Sequence, residues 1–278
     1  TISNAGERLG HVRDRILDAA ALQRHHVVLD LNAGSGLLTW EILRRAPEGG
    51  TWALAWDREA GEALRQQAER LPELQRPVVL VGDPSELADL LALRSESDLH
   101  FDAIVGRNAL ARIPDKIGLL SELAQRLLPG GRLSVAEGVV KHSQRLYDLV
   151  DLSRLGDDLR QRIVGAEEQI YADESDPLVN WDVTDLQNGL AAAGFEGISV
   201  REQAEETEVP VGPATLERWF SVGESRERPS YAEHLLRRIT SQVLGQVESL
   251  FTGQLANKTV PWQTQVVFAS GQIPDRTA

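Results

Sequence analysis

Two patterns of apolar residues alternate along the first half of this chain. Short apolar runs, rich in Val, Ile, Leu and Ala, are typical of strands buried on both faces of a sheet. They cover residues 27–31, 51–56, 77–81 and 101–105, and a fifth run follows the Pro-Gly-Gly turn at 129–131. Between these runs, apolar residues recur every three or four positions, as on one face of a helix. The alternation predicts an α/β fold with a parallel sheet.

The second half of the chain has a more helical pattern. Apolar residues at 144–170 are roughly periodic, and capping-box patterns begin at Thr184 and at Ser230. Each capping box predicts the start of a helix, and the helix after Ser230 is expected to be long. Residues 1–10 are predicted to be a flexible lead-in. Strand patterns return twice, at 198–202 and at 263–269.

Candidate chemistry begins where the first predicted strand ends. Asp30 lies near that end, and Asn32, Gly34 and Gly36 follow before a helical segment. Glycine has no Cβ, so the backbone at Gly34 and Gly36 can approach a ligand closely. The free N–H groups at a helix start favour an anionic or carboxylate group of that ligand. A dinucleotide fingerprint would need a third glycine, where this chain has Thr39.

Carboxylates also follow the second and third predicted strands. Asp57 comes about 20 residues after the glycines, where it can accept hydrogen bonds from ribose hydroxyls. Asp83 follows the third strand in a Gly-Asp-Pro turn. Because parallel strands end at one edge of a sheet, we expect Asp30, Asp57 and Asp83 to share that edge. The pattern predicts a nucleoside site, and it suits both NAD enzymes and methyltransferases.

The spacing Asp30-x-x-x-Gly34-x-Gly36 resembles motif I of the class I S-adenosylmethionine (SAM)-dependent methyltransferases. The Pro-Gly-Gly turn before the fifth strand strengthens this resemblance, which covers residues 12–137 and part of the tail. It implies a Rossmann-like α/β fold with a seven-stranded, mostly parallel sheet and helices on both faces. The last strand should run antiparallel between its neighbours, and helical insertions should follow strands five and six.

The implied organisation is a single methyltransferase-like domain over the whole chain. In this family such insertions form the substrate pocket, and the alternative is a helical cap that stabilises the fold or docks another domain. The expected core comprises about residues 12–142, 183–203 and 263–270, and the expected cap insertions comprise about residues 143–182 and 213–256.

The resemblance also implies a cofactor, SAM, and roles for individual residues. The glycine turn would lie under the methionine and ribose parts of SAM, Asp30 would help to orient its amino group, and Asp83 would reach its adenine. The predicted cofactor-binding residues are Asp30, Asn32, Gly34, Gly36, Asp57, Asp83 and Arg107. The chain departs from the family at Asn32, where glycine is usual, and at Ala111 and Arg112, where relatives often have His.

No catalytic residue can be read from the sequence. Methyl transfer from a sulfonium needs a nucleophile held in line and water excluded, and it needs a proton acceptor only for some acceptors. By position, five residues after strands four and five should face the methyl group: Arg107, Asn108, Glu137, His142 and Tyr147.

Composition narrows the possible functions. The 278 residues carry a net charge of -13, which argues against a general nucleic-acid-binding surface and favours a small-molecule substrate. There is no cysteine, which excludes disulfides, thiolate metal sites and cysteine nucleophiles, and no metal site is expected. Without a membrane-span or signal-peptide pattern, the expected location is cytoplasmic. The chain contains no Met and begins at Thr1, which suggests a fragment.

Three functions are therefore weighed. The first is a SAM-dependent methyltransferase that acts on a small molecule. The second is a non-catalytic methyltransferase-like module, fused to or docked on another protein. The whole chain faintly resembles the methyltransferase-like extension of cyanobacterial replication-associated recombination ATPases of the AAA type. The third, an NAD-dependent dehydrogenase, is disfavoured by Thr39 in place of glycine.

Overall fold

A computed structural model describes residues 2–223 and 227–275, with side chains from residue 5 onward. The strands are β1 (Val27–Asp30), β2 (Gly50–Ala55), β3 (Val78–Val81), β4 (Phe101–Arg107), β5 (Leu127–Gly138), β6 (Glu196–Val211) and β7 (Lys258–Gln272). The α-helices are α1 (Ile2–Ala20), α2 (Leu37–Arg45), α3 (Arg58–Ala68), α4 (Leu87–Leu93), α5 (Lys116–Gln125), α6 (Asp157–Tyr171), α7 (Val183–Ala192), α8 (Pro213–Phe220), α9 (Tyr231–Leu235) and α10 (Ser241–Leu255). Within these ranges, no helix combines the length and apolar character that crossing a bilayer requires.

The seven strands form one sheet in the order β3-β2-β1-β4-β5-β7-β6. The neighbouring pairs from β3 to β5 are parallel, and β7 runs antiparallel to β5, with Val135 opposite Ala269. This arrangement confirms the predicted seven-stranded, mostly parallel sheet. It also confirms that the last strand lies between two neighbours instead of at an edge.

Helices pack on both faces of the sheet because its strands are apolar on both sides. Val28 packs with residues of α1 and α2 on one face, and Ala53 packs with Leu64 of α3. Val28 pairs with Thr51, so Trp52 lies on the opposite face. There, the guanidinium of Arg94, just after α4, lies 5.8 Å from the ring centre of Trp52. The predicted two-sided helical covering is therefore present.

The chain divides into two compact units. The first comprises residues 1–138, 181–203 and 266–278, and the second comprises residues 139–180 and 204–265. The second unit has its own apolar core, in which the rings of Phe220, Tyr231 and Phe251 have centres 5.3–5.8 Å apart. That core is built by the segments after β5 and β6, where helical insertions were predicted. The prediction that the chain forms one domain stays a prediction.

Several predicted helix boundaries are wrong. Residues 2–10 belong to α1, so the predicted lead-in is helical. The region 144–170 was predicted to be helical, but its α-helix begins only at Asp157, where α6 starts. Gly156, at a φ of 80°, separates α6 from short 3-10 turns before it. The capping box at Ser230 is confirmed, yet its helix ends at Leu235. Thr240 then starts α10 by accepting a hydrogen bond from the backbone N–H of Val243.

The capping box predicted at Thr184 is displaced by two residues. Asp182 is the N-cap of α7, and its carboxylate accepts the Asp185 N–H at 2.9 Å. The Asp185 carboxylate accepts the Asp182 N–H in return, also at 2.9 Å. An aspartate caps as well as threonine does, and here it completes the reciprocal pair without a glutamine.

Candidate functional site

The carboxyl end of β1 is the point where the strand order reverses. β1 lies between β2 and β4, with β3 beyond β2 and β5 beyond β4. The loops that leave β1 and β4 therefore diverge to opposite sides of the sheet. In open α/β folds the crevice at such a switch point binds ligands.

The glycine turn lies at this crevice. Gly34 has a φ of 50°, and a Cβ built on it would meet no atom within 4 Å, so the space beside this backbone is open. Gly36, at a φ of 93°, is the N-cap residue of α2, and no side chain caps that helix. A Cβ on Gly36 would lie 2.2 Å from Nε1 of Trp40, so Trp40 covers this glycine. A ligand could therefore approach the backbone closely at Gly34, whereas the side chain of Trp40 blocks such an approach at Gly36.

Asp30 faces the interior of the protein. Its side chain is fully buried, accepts the Thr39 hydroxyl at 2.8 Å and accepts the backbone N–H of Asn32 at 3.1 Å. Burial raises its pKa to about 6, and these hydrogen bonds oppose the rise. Asp30 therefore ties the end of β1 to α2. Any effect it has on a ligand passes through the backbone it holds.

Asn32 joins the turn after β1 to the end of β4. Its side-chain amide donates to the carbonyl of Arg107 at 3.0 Å and to the carbonyl of Asn108 at 3.2 Å. Asparagine tolerates left-handed backbone better than other non-glycine residues do. The φ of Asn32 is not positive, so this property does not explain its presence here. Asparagine is bulkier than the glycine that is usual in the family, and its side-chain amide donates hydrogen bonds to two carbonyls across the switch point. Glycine could not make this link.

Asp57 and Asp83 both lie just beyond the ends of neighbouring parallel strands, as predicted. Asp57 is exposed and is the N-cap of α3, with Oδ1 accepting the Ala60 N–H at 2.8 Å. Within the described part of the chain, Oδ2 of Asp57 makes no hydrogen bond. Asp83 caps a 3-10 turn by accepting the Ser85 N–H at 2.7 Å. Of the predicted residues, the structure links Asp30, Asn32 and Arg107 directly, and it leaves Asp57 with a spare acceptor.

Glu137 has a role that sequence reasoning missed. The side chain is 1% exposed, and its oxygens accept the backbone N–H groups of Ala109, Leu110 and Ala111 at 2.9, 2.8 and 3.3 Å. The expectation that Glu137 faces the methyl group is wrong, because its carboxylate is used to hold the loop after β4. The sequence places an acid at the end of the fifth predicted strand, but it does not indicate the burial of this acid or its three backbone partners.

Asn108 has a similar loop-holding role beside Glu137. It adopts a φ of 51°, and its side-chain oxygen accepts the Gly138 N–H at 3.0 Å. This bond connects the loop after β4 to the end of β5. His142 and Tyr147, also predicted to face the methyl group, belong to the second unit, where Tyr147 donates its hydroxyl to Glu168 at 2.9 Å.

The ionisation of Glu137 should make stability depend on pH. Burial raises the pKa of Glu137 from 4.5 to about 7, so the folded state holds this proton more tightly than the unfolded state does. Its stabilising contribution is complete below pH 4.5 and is lost as pH rises through 7. Between pH 5 and 8 this loss amounts to roughly 2–3 kcal/mol.

The Glu137→Gln variant isolates this contribution because glutamine cannot ionise. Urea unfolding at pH 5 and pH 8 should show that the variant loses roughly 2–3 kcal/mol less stability than the native protein over this range. Equal losses in both proteins would contradict the assignment to Glu137.

No cluster of three His, Asp or Glu side chains in the described residues could hold a metal ion. The groups at the switch point are instead backbone amides, carbonyls and single carboxylates. Such groups suit an organic ligand with hydroxyl and amino functions.

Comparisons with known proteins gave related sequences and similar structures, although no family model matches the sequence. The ubiquinone/menaquinone biosynthesis C-methyltransferase of Yersinia pestis (strain Pestoides F) is 30% identical over 189 residues, which are 66% of this chain and 71% of that protein. A Bacillus halodurans C-125 protein described as a methyltransferase has a similar structure, with a TM-score of 0.55 and 16% identity over 94% of this chain and 98% of that one.

A third similarity is to phosphoethanolamine N-methyltransferase 2 of Haemonchus contortus, whose structure contains S-adenosyl-L-methionine. The TM-score is 0.52 and the identity is 13%, over 95% of this chain and 52% of that one. At such low identities, the two structural similarities bear on the fold alone.

Proposed function

Because this chain belongs to the class I SAM-dependent methyltransferases, we propose that it binds SAM at the glycine turn after β1 and methylates a small molecule. The relative that is 30% identical confirms the family and the enzyme class that the sequence predicted, and SAM is the cofactor of that class. The position of the cofactor on this chain and the nature of the methyl acceptor are the proposed parts.

One observation carries the proposal for the cofactor site. The backbone at Gly34 borders open space at the switch point of the sheet, and a single added carbon would project into that space. Asp57, at the end of the neighbouring strand, keeps one carboxylate oxygen free to accept a ribose hydroxyl. An open backbone cradle beside a spare acceptor fits a nucleoside cofactor.

The residues of the chain would position the cofactor without entering the chemistry. Bound SAM supplies an electrophilic methyl group on its sulfonium. Asp57 would orient the ribose, while Asp30 and Asn32 keep the turn and the end of β4 at a fixed separation. Glu137 holds the loop after β4 through three backbone N–H groups. This rigid edge contributes by orientation, which is most of what methyl transfer requires.

Two features favour a small molecule as methyl acceptor. The net charge of -13 disfavours a nucleic acid. The second unit, which the family resemblance links with substrate recognition, contains a cavity of about 610 Å³ whose lining includes Lys141, Arg145, Glu168 and Tyr171. That volume lies in the range of small-molecule sites. We also propose a cytoplasmic location, which suits a small-molecule enzyme.

Titration calorimetry with SAM and NAD, run separately, tests this function. The expected result is saturable binding of SAM and no measurable binding of NAD. Binding of NAD alone would overturn the proposal in favour of the dehydrogenase. The non-catalytic module and its AAA-type resemblance are not supported by the relatives found.

Replacing Asp57 with asparagine should weaken SAM binding. Asparagine keeps an oxygen to cap α3, but its amide nitrogen replaces the acceptor proposed for the ribose. Loss of a hydrogen bond to a charged group predicts an affinity lower by about 1.5–3 kcal/mol in calorimetry. The matched control is Asp182→Asn, which alters the cap of α7 in the same way. If Asp57→Asn binds SAM as tightly as Asp182→Asn does, the ribose assignment fails.

A further inference from the structure

A second cavity lies in the first unit, away from the proposed cofactor site. It encloses about 730 Å³ and is lined by residues of α2, of α3 and of the segments on either side of them. Its lining includes Gly50 and Thr51, the first two residues of β2. Asp57 follows the opposite end of this strand, and at about 3.3 Å per residue the two places are ~20 Å apart. The cavity therefore lies toward the other end of β2 from Asp57, and Trp40, which covers Gly36, is the lining residue that it shares with the cofactor turn.

The charge of this cavity is opposite to that of the whole protein. Arg44, Arg70 and Arg76 line it, and no Asp or Glu does so among the residues that the structure describes. Arg44 is neutralised by Glu41 through two hydrogen bonds. In contrast, Arg70 makes no ion pair or hydrogen bond with any described residue. A basic cavity on a protein of net charge -13 is a local feature that attracts anions.

Arg76 is held in place without losing its charge. Its Nε donates to the carbonyl of Leu71 at 2.9 Å, and one terminal nitrogen donates to the carbonyl of Glu69 at 3.2 Å. Neutral carbonyls fix the guanidinium and leave other N–H donors available. A guanidinium fixed in this way suits the bidentate binding of phosphate or carboxylate.

One residue of the cavity lining, Thr51, carries an unpartnered hydroxyl. Thr51 is 4% exposed, and its Oγ1, which is itself buried, has no hydrogen-bond partner among the residues that the structure describes. Buried hydroxyls are nearly always hydrogen-bonded, because leaving one unpaired is costly. Thr51 lies on the sheet face that α2 and α3 cover, so the cavity between those helices is the side from which a partner can come.

The remaining lining is aromatic and aliphatic. The indole N–H of Trp40 donates to Oε1 of Gln67 at 3.2 Å, and both residues line the cavity. Leu74, also in the lining, is fully exposed, with a relative accessibility of 100%. An exposed leucine beside an indole offers an apolar contact to part of a ligand.

We propose that this cavity is a second ligand site, which binds a soluble small molecule with a phosphate group attached to an aromatic ring. Arg70 and Arg76 bind the phosphate, the Thr51 hydroxyl gains a partner, and the ring packs between Trp40 and Leu74. The site uses none of the residues predicted to bind SAM, and its one link to the proposed cofactor turn is Trp40, which covers Gly36.

Titration calorimetry with phenyl phosphate tests the proposal. The native protein should bind it saturably, and more tightly than it binds inorganic phosphate or phenol, because each of these supplies half of the recognised chemistry. Arg70→Gln should weaken binding at least tenfold, and Thr51→Val, which keeps the shape of the side chain, should weaken it at least threefold. The matched control is Arg162→Gln, an exposed arginine of α6 in the second unit, which should bind as the native protein does.

Any of four calorimetric outcomes would overturn the proposal. They are an absence of binding by the native protein, equal binding by Arg70→Gln and Arg162→Gln, undiminished binding by Thr51→Val, and displacement of phenyl phosphate by saturating SAM. A protein that sediments with phosphatidic acid vesicles and does not bind phenyl phosphate would also overturn it, in favour of a membrane headgroup. A failure of SAM binding would leave these results unaffected, so the two proposals fail separately.

Discussion

Replacing Gly34 with valine is expected to abolish the rise in melting temperature that SAM produces in the native protein. The space beside Gly34 is open, so the valine side chain would fill it at the expense of a ligand. At a SAM concentration 100 times its Kd, the native protein should gain about 2.7 kcal/mol of stability. The variant should gain none of it. Melting curves with and without SAM measure this difference directly.

The fold itself should survive this substitution. A φ of 50° strains a β-branched residue by roughly 1–3 kcal/mol, and the added Cβ would meet no atom within 4 Å. Gly197→Val is the matched control, since Gly197 has a φ of 58° and equally open surroundings. It should melt at a similarly lowered temperature and keep the full response to SAM. A full response in Gly34→Val would show that this turn is not the cofactor site.

The second large effect is expected at Glu137. Alanine at this position removes the acceptor for three backbone N–H groups in a buried loop. Each unsatisfied buried donor costs about 1–3 kcal/mol, so Glu137→Ala should lower the free energy of unfolding by about 3 kcal/mol or more. Urea unfolding at pH 7 measures this loss.

Two further variants show whether the hydrogen bonds accepted by Glu137 account for the stability lost in Glu137→Ala. Glu137→Gln keeps one acceptor oxygen and should recover part of the stability. Glu122→Ala removes an exposed glutamate from α5 and should change stability by no more than about 0.5 kcal/mol. A Glu137→Ala variant as stable as Glu122→Ala would mean that the loop after β4 is held by other contacts.

The strands were predictable because their signal is local. Residues 27–31 and 101–105 are mainly apolar runs, each with a single Asp, and each folds as a central strand near its predicted bounds. The turn at Gly34 and Gly36 was predictable for the same reason, since adjacent residues specify it. The antiparallel place of β7 followed from the family resemblance and was confirmed by its pairing with β5.

The roles of Asn32 and Glu137 were beyond sequence reasoning because their partners are distant in the chain. Asn32 binds carbonyls 75 and 76 residues away, and Glu137 binds amides 26 to 28 residues away. Nothing local distinguishes such residues from surface or catalytic ones. The end of α9 at Leu235 was missed for another reason. The helical spacing of apolar residues continues through the turn between α9 and α10, so it does not show that Thr240 caps a new helix.

The place of β7 in the sheet also bears on how the protein is made. During synthesis β5 and β6 emerge before β7, yet β7 is the strand that lies between them. Until residues 258–272 leave the ribosome, β5 has an unpaired edge at residues 132–138. Exposed strand edges pair readily with other chains. We therefore expect the nascent protein to pass through a stage at which this edge of β5 can pair with other chains, and the insertion of β7 should end that stage.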